Sequence, residues 1–400
     1  MALMPVEEAL ARILKGVKPL AAESISLRHA HGRILAKPVH ATRDQPPFDA
    51  SAMDGYAIRN ADLNAAASSF RIIGTSAAGH AFKGKLKPGE AVRILTGAPL
   101  PSGADTIVIQ ENTLRDGQHL TVLELSPRGK HIRHRSLDFA RGKVLLPAGT
   151  KLNARDVGLA ASGNAATVWV HKKPNVALIA TGDELVQPGQ SPRADQIVSS
   201  NSHALEAMMQ HWGARVSNFG IIRDNLRATT RAVEKALNAD IVVTTGGASV
   251  GDHDFVQEAF KACGIAIGFW KIALRPGKPL MFGTKRKTRI LGLPGNPVSA
   301  LVCSRIFLKP LIDAMLGTTG NVPAATAALS TPLAANDGRK DYIRATLIWQ
   351  EDGRRTVAPF AKQDSSMQRA LRNADCLIIR NPDAPAAAIG ENVEILLLDF

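Results

Sequence analysis

Four carboxylates and three basic side chains stand in short loops of the central part of the chain. Glu184 lies in Thr181-Gly182-Asp183-Glu184, Asp224 in Arg223-Asp224-Asn225, and Asp252 and Asp254 close the stretch that starts at Gly246. Lys271, Arg275 and Lys278 share the segment Lys271 to Pro279. Carboxylates are hard oxygen donors suited to a magnesium ion, while ammonium and guanidinium groups offset phosphate or oxyanion charge, and Arg275 can form a bidentate fork. The stretch Ile241 to Asp254 concentrates this chemistry: a β-branched run stops at Gly246-Gly247, with Ser249 beyond. A strand ending in glycines lets backbone N–H groups approach an anion closely, which makes Gly246, Gly247 and Ser249 candidate substrate contacts. The same residues also read as a tight strand-to-helix turn with Asp254 as N-cap of a helix beginning near Phe255. That alternative stays open for this segment alone.

A fifth loop, Gly292-Leu293-Pro294-Gly295-Asn296-Pro297, precedes a helix expected from Ser299, so its N–H groups and the helix dipole also favour an anion. Pro294 and Pro297 fix φ and shape that loop without side-chain chemistry. The elements that must position all five loops alternate. Val176 to Ala180 is a continuous apolar run, as in a strand buried on both faces of a parallel sheet. Helices follow at Ser202–Trp212, Arg227–Leu237, Phe255–Ala262 and Ser299–Leu311, with strands near 215–221, 241–245, 265–269 and 289–293. This order predicts an open, mostly parallel, three-layer α/β domain over 173–319, whose ligands sit outside the carboxyl ends of its strands. Single carboxylates are more often caps or turn residues; five loops on one rim favour a site.

Around that domain the rhythm changes. Residues 46–140 carry short strands between Gly and Pro turns and predict a β-rich insertion. Residues 1–45 and 141–172 predict a discontinuous N-terminal domain, with Asn153 capping a helix that packs back on the N-terminal one. Residues 320–400 return to short alternating strands and predict a small β-barrel. The chain is thus a multidomain α/β protein.

Composition sets outer limits. Lys plus Arg number 49 against 35 Asp plus Glu in 400 residues, a net +14 that draws anionic substrates without naming them. Aromatics are only 4%, which weighs against base-stacking recognition of single-stranded nucleic acid. The three cysteines have no Cys-x-x-Cys spacing, so neither a zinc ribbon nor a disulfide framework is expected. No signal peptide or membrane-length apolar run is read. A cytoplasmic protein with no membrane and no specific nucleic-acid partner is expected. His131 and His134 have a metal-like spacing, yet Arg128, Lys130, Arg133 and Arg135 around them would repel a cation, so a solvated loop is favoured. Asp138 reads at least as readily as a turn residue.

Six segments carry a resemblance: Ser51 to Ala57, Arg93 to Pro99, Thr181 to Leu185, Gly246 to Asp252, Pro276 to Pro279 and Gly292 to Ser299. In order and over nearly the whole chain, they are similar to the signature set of the MoeA family, relatives of the gephyrin E domain. The resemblance implies insertion of molybdate into adenylylated molybdopterin with release of AMP, assisted by magnesium. It implies a homodimer whose active sites are shared, with hand-over from a molybdopterin adenylyltransferase and onward to molybdoenzymes or their chaperones. Carried over by motif, Asp54, Thr96, Glu184, Asp224 and Asp254 are the catalytic candidates, and Glu184, Asp224, Asp252 and Asp254 the metal candidates. Lys271, Arg275, Lys278, Pro294 and Pro297 are candidates for substrate, with Arg344 and Ser365 carried over from a weaker match. Arg275 stands where some relatives have Lys, and Gln363 to Ala370 departs from the family's serine-rich pattern. Other readings are an adenylyltransferase, which the flanking domains and Asp54 oppose; a peptide-binding scaffold, which would not require the charged loops; and a nucleic-acid binder, supported by net charge alone.

Overall fold

The computed structural model describes residues 3–64, 66–246, 255–318, 325–351 and 353–400. Two compact units divide the chain: Ser24–Val170, and Met1–Glu23 together with His171–Phe400.

In the second unit, four parallel strands run in from one edge of a six-stranded sheet in the order Arg215–Ile222, Asn175–Thr181, Ile241–Thr245, Thr288–Leu293. The apolar runs of Asn175–Thr181, Ile241–Thr245 and Thr288–Leu293 are buried on both faces, while Arg215–Ile222 lies at the sheet edge and is only partly buried. Ala177, Ile179, Val242 and Ile290 pack with Val233, Val256 and Phe260 on one side. On the helix Asn201–His211, Leu205, Met208 and Met209 are buried, as its spacing predicts. Met281–Lys285 and Ala266–Trp270 complete the sheet antiparallel. The strand at Met281–Lys285 is not expected from the sequence, because Gly283 interrupts its pattern and a basic turn follows. Its reason is packing: a Cβ at Gly283 would stand 2.7 Å from Ile265 Cγ2, so only glycine admits the neighbouring strand's contact.

The last helix begins at Pro297 rather than Ser299, with proline in the first turn, where its missing N–H costs nothing. It runs through a π-turn at Ser304–Leu308 into Lys309–Met315. The N-terminal helix Val6–Leu14 belongs to this unit: Met4 bridges to Ile272 and Leu20 N donates to Met315 O at 2.7 Å. Both ends of the N-terminal segment are held by backbone bonds to the α/β domain, contacts that no local pattern reports.

The C-terminal strands close into a five-stranded barrel, because Lys340–Trp349 pairs with both Arg355–Pro359 and Cys376–Arg380. Closure leaves no free edge and encloses Leu329, Ala345, Val357, Ile378 and Ile395.

In the other unit, a six-stranded sheet packs Tyr56, Ile58, Phe70, Val108 and Leu120. A smaller core joins Ala30, Leu35 and Val39 to Leu146, Leu152, Ala160 and Val170, so residues distant in sequence share one module. Asn153 caps the helix Ala154–Ser162 as expected, in a reciprocal capping box with Asp156. Among the described residues, no helix is long and apolar enough to cross a membrane.

Candidate functional site

A cavity of about 640 Å³ opens where the strands Asn175–Thr181, Ile241–Thr245 and Thr288–Leu293 end. Its lining includes Thr181, Glu184, Gly246, Pro279, Pro294 and Pro297, so four of the five predicted loops meet here. Gly246 adopts φ +91°, and a Cβ there would lie 2.2 Å from the Thr181 carbonyl oxygen. The first glycine of the pair is therefore required both by conformation and by the approach of the neighbouring strand end.

Asn201, at the first turn of its helix, ties the floor together. Its Nδ2 donates to Gly295 O at 2.7 Å and to Thr245 Oγ1 at 3.1 Å. Two buried polar atoms at this floor, Thr181 Oγ1 and Asn201 Oδ1, find no partner among the described residues. A buried polar atom without a partner costs about 1–3 kcal/mol, so a polar ligand has something to gain here. Helices open at Asn201 and Pro297 beside the cavity, which adds dipole and N–H donors for negative charge.

The acidic side is built from two loops. Asp224 N donates to Asp183 Oδ1 at 3.2 Å, and Glu184 lines the cavity. Burial, then repulsion from Asp183 and Glu184, raises the Asp224 pKa above its ordinary value, against the lowering effect of a separate hydrogen bond that the Asp183 backbone donates to the Asp224 carboxylate. A cluster of oxygen donors whose charges resist one another suits a divalent cation in donor type, although among the described residues no group of three or more such side chains converges. Gly247, Ser249, Asp252 and Asp254 lie outside the described residues.

The basic candidates separate. Lys278 is exposed, and Lys271, at φ +75°, places Nζ 4.7 Å from the centroid of the Trp270 ring. Arg275 corrects the expectation of a free fork for phosphate. Its Nε and Nη2 donate to Asp341 Oδ2 at 2.9 and 2.6 Å, Nη1 donates to Asp337 at 2.9 Å, and Nη2 also donates to Asn336 at 3.0 Å. The guanidinium is spent on joining the α/β domain to the barrel. Arg344 is corrected likewise: it is 1% exposed, and its guanidinium holds Gln363, Asp364 and Met367 rather than facing a ligand. Desolvation lowers its pKa from the usual arginine value. Ser365 sits at the rim, its hydroxyl accepting from Asn296 Nδ2 at 2.9 Å.

In the other unit, Asp54 Oδ1 accepts from Thr96 N and Thr96 Oγ1, both at 2.7 Å. These two bonds hold the Asp54 carboxyl below its ordinary range, the hydroxyl bond counting most. Thr96→Val should raise the Asp54 pKa toward the usual aspartate value, measured by carboxyl NMR titration; an unchanged pKa would contradict the bond's role. The sign follows from linkage: stability from ionised Asp54 is present above the ordinary aspartate pKa and is lost as pH falls through the lowered folded value.

Ser199, Ser200, Asn201, Asn296, Ser366 and Gln368 also line the cavity and are absent from the sequence-based candidates. The run Ser199-Ser200-Asn201-Ser202 ahead of an apolar helical pattern was a usable signal, since such residues concentrate at helix starts. Nothing local marks Ser366 and Gln368, which come from the far side of the barrel sequence.

Comparison with known proteins agrees with this layout. Residues 4–163 match the MoeA N-terminal region (domain I and II), 177–314 the probable molybdopterin binding domain, and 326–398 the MoeA C-terminal region (domain IV). The molybdopterin molybdenumtransferase of Haemophilus influenzae is 33% identical over 398 residues, 98% of either chain. This chain belongs to the MoeA family. Another relative with the same name, from Nostoc, is 39% identical across 82% of this MoeA-family chain and 76% of its own. The crystal structure of a molybdopterin biosynthesis MoeA protein from Pyrococcus horikoshii OT3 superposes with a TM-score of 0.83 at 29% identity, covering 99% of this chain and all of that one. The cavity of this MoeA-family protein falls mainly within the segment matched by the molybdopterin binding domain.

Proposed function

We propose that the chain is a molybdopterin molybdenumtransferase, inserting molybdate into adenylylated molybdopterin with release of AMP to give the molybdenum cofactor. The observation that carries this reading is the cavity at the strand ends, where polar atoms without a partner among the described residues, two helix starts and Glu184 surround space for an anion. Molybdate is a dianion and must approach a phosphate ester, so the site has to offset their mutual repulsion. Backbone donors at Gly246 and at the Pro294–Pro297 loop suit that task, with Lys271 and Lys278 on the neighbouring segment. Fixed donors stabilise charge as it develops without reorganising at the moment of reaction. No covalent attack by the protein is required. The three thiols are free and buried, and burial pushes the Cys376 thiol up to about 12 and Cys303 higher still, which leaves them poor nucleophiles.

Magnesium is part of the proposal: Glu184 and Asp224, with Asp252 and Asp254, would hold it, and when bound it supplies positive charge at the adenylyl phosphate. The purified chain, given adenylylated molybdopterin, molybdate and magnesium, should release AMP. Release no greater than in a protein-free control would refute the assignment.

The reading includes a homodimer in which a second copy supplies Asp54 and Thr96 to the site. Mixed dimers of Asp54→Ala and Asp224→Ala subunits should then recover part of the wild-type activity, about a quarter to a half, where either homodimer is inactive. Recovery indistinguishable from the parent variants would argue for sites built within one chain. Substrate would arrive from a molybdopterin adenylyltransferase and product would pass to molybdoenzymes or their chaperones. The unpaired cysteines suit a cytoplasmic setting, and no specific nucleic-acid partner is invoked for the net positive charge.

A further inference from the structure

The loop Gln363–Gln368 leaves the C-terminal barrel and reaches the cavity of the α/β domain, where Ser366 and Gln368 form part of the wall. It is held from two sides. From beneath, Arg344 Nη2 donates to Asp364 O at 2.9 Å and Nη1 to Met367 O at 3.2 Å, while Nε donates to Gln363 Oε1 at 3.2 Å. Gln363 Nε2 answers by donating to the carbonyls of Arg344 and Phe360 at 3.0 and 2.9 Å. From above, Gln368 Nε2 donates to Ser200 Oγ at 2.5 Å, just ahead of the helix Asn201–His211. Val298 N donates to Ser365 O at 3.0 Å and Asn296 Nδ2 to Ser365 Oγ at 2.9 Å, at the start of the other helix.

The two sets of bonds differ in kind. Arg344 is buried, and its charged fork spans the carbonyls of Asp364 and Met367 and the Gln363 side chain at once, so those bonds are expensive to break. The clasp at Ser200 is exposed to solvent, and water can replace either partner. A wall with a rigid base and a breakable outer bond controls how firmly a cavity closes on its contents.

We propose that Gln368 is a clasp that shuts the cavity by binding Ser200, and that Arg344 is the positioning residue that presents Gln368 to it. The proposal rests on the molybdenumtransferase reading of the cavity and adds residues that govern how tightly the site holds its nucleotide. Occupancy of the closed arrangement falls when the clasp is lost, so affinity falls with it.

The test is a double-mutant cycle with AMP as the probe, measured by calorimetry. Gln368→Ala and Ser200→Ala should each weaken AMP binding about 2- to 10-fold, the range for one net hydrogen bond, and the double variant should be no weaker than the worse single one. Additive losses, or single-variant affinities equal to wild type, would overturn the clasp. Hydrogen exchange needs no ligand: Gln368→Ala should speed exchange of the Asp364–Gln368 amides several-fold with an unchanged melting temperature. Arg344→Lys, which keeps the charge but loses the fork, should speed exchange across the same amides. Unchanged exchange in both variants overturns the proposal. Wild-type protein that binds no AMP but shows both exchange effects would sink the functional reading of the cavity and leave the clasp standing.

Discussion

Asp224→Ala should lower turnover on the order of 10²- to 10³-fold, the range for removing one preorganised group that acts on developing charge. It should do so without loss of stability. Burial and the nearby Asp183 and Glu184 carboxylates raise the Asp224 pKa, so in the folded protein its charge is opposed rather than welcomed. A carboxyl whose folded pKa lies above its unfolded value makes the fold less stable as pH rises from the ordinary aspartate range through the raised value. The variant should therefore melt at the same temperature as wild type or higher at neutral pH, and the difference should vanish at a pH below the ordinary aspartate pKa. Melting curves across pH, taken beside the AMP-release rate, check both halves. A variant that lost turnover and also lost several degrees at pH 7 would mean that Asp224 holds the fold together.

Gly246→Ala should have the largest effect on the structure. The substitution puts a side chain at φ +91° and within 2.2 Å of the Thr181 carbonyl oxygen, a backbone atom that cannot turn aside. Left-handed strain of roughly 1–2 kcal/mol and an overpacking cost of roughly 1–3 kcal/mol give a loss of about 2–5 kcal/mol. For a unit of this size each kcal/mol moves the melting temperature by about 2–4 °C, so thermal unfolding measures the loss directly. Relief of the contact would have to push apart the ends of two adjacent parallel strands, and AMP affinity should fall with stability. A stable Gly246→Ala variant with normal AMP binding would contradict the packing described at the cavity floor.

Much of this site is legible in the sequence, because glycine and proline act locally. The stop after Ile241–Thr245, the Pro294–Pro297 loop and the Asn153 cap each follow from residues within one turn of the chain. The parallel order of the central strands follows from the alternation of apolar runs and amphipathic helices, and the strand-end rule then selects the rim. Arg275 and Arg344 were not legible. Their occupation is decided by Asp337, Asp341 and the Gln363–Met367 loop, partners contributed by a different domain, and a motif position cannot report whether a guanidinium is already engaged. The strand Met281–Lys285 and the seat of the N-terminal helix escaped for the same reason: each is held by long-range backbone pairing.

A crystal structure of the protein soaked with AMP and molybdate tests the central claim most directly. The account predicts the nucleotide and the oxyanion together in the cavity lined by Thr181, Asn201, Gly246 and Asn296, with oxyanion oxygens within hydrogen-bonding distance of N–H groups at the Pro294–Pro297 loop. Both ligands bound elsewhere, with that cavity holding only solvent, would contradict it.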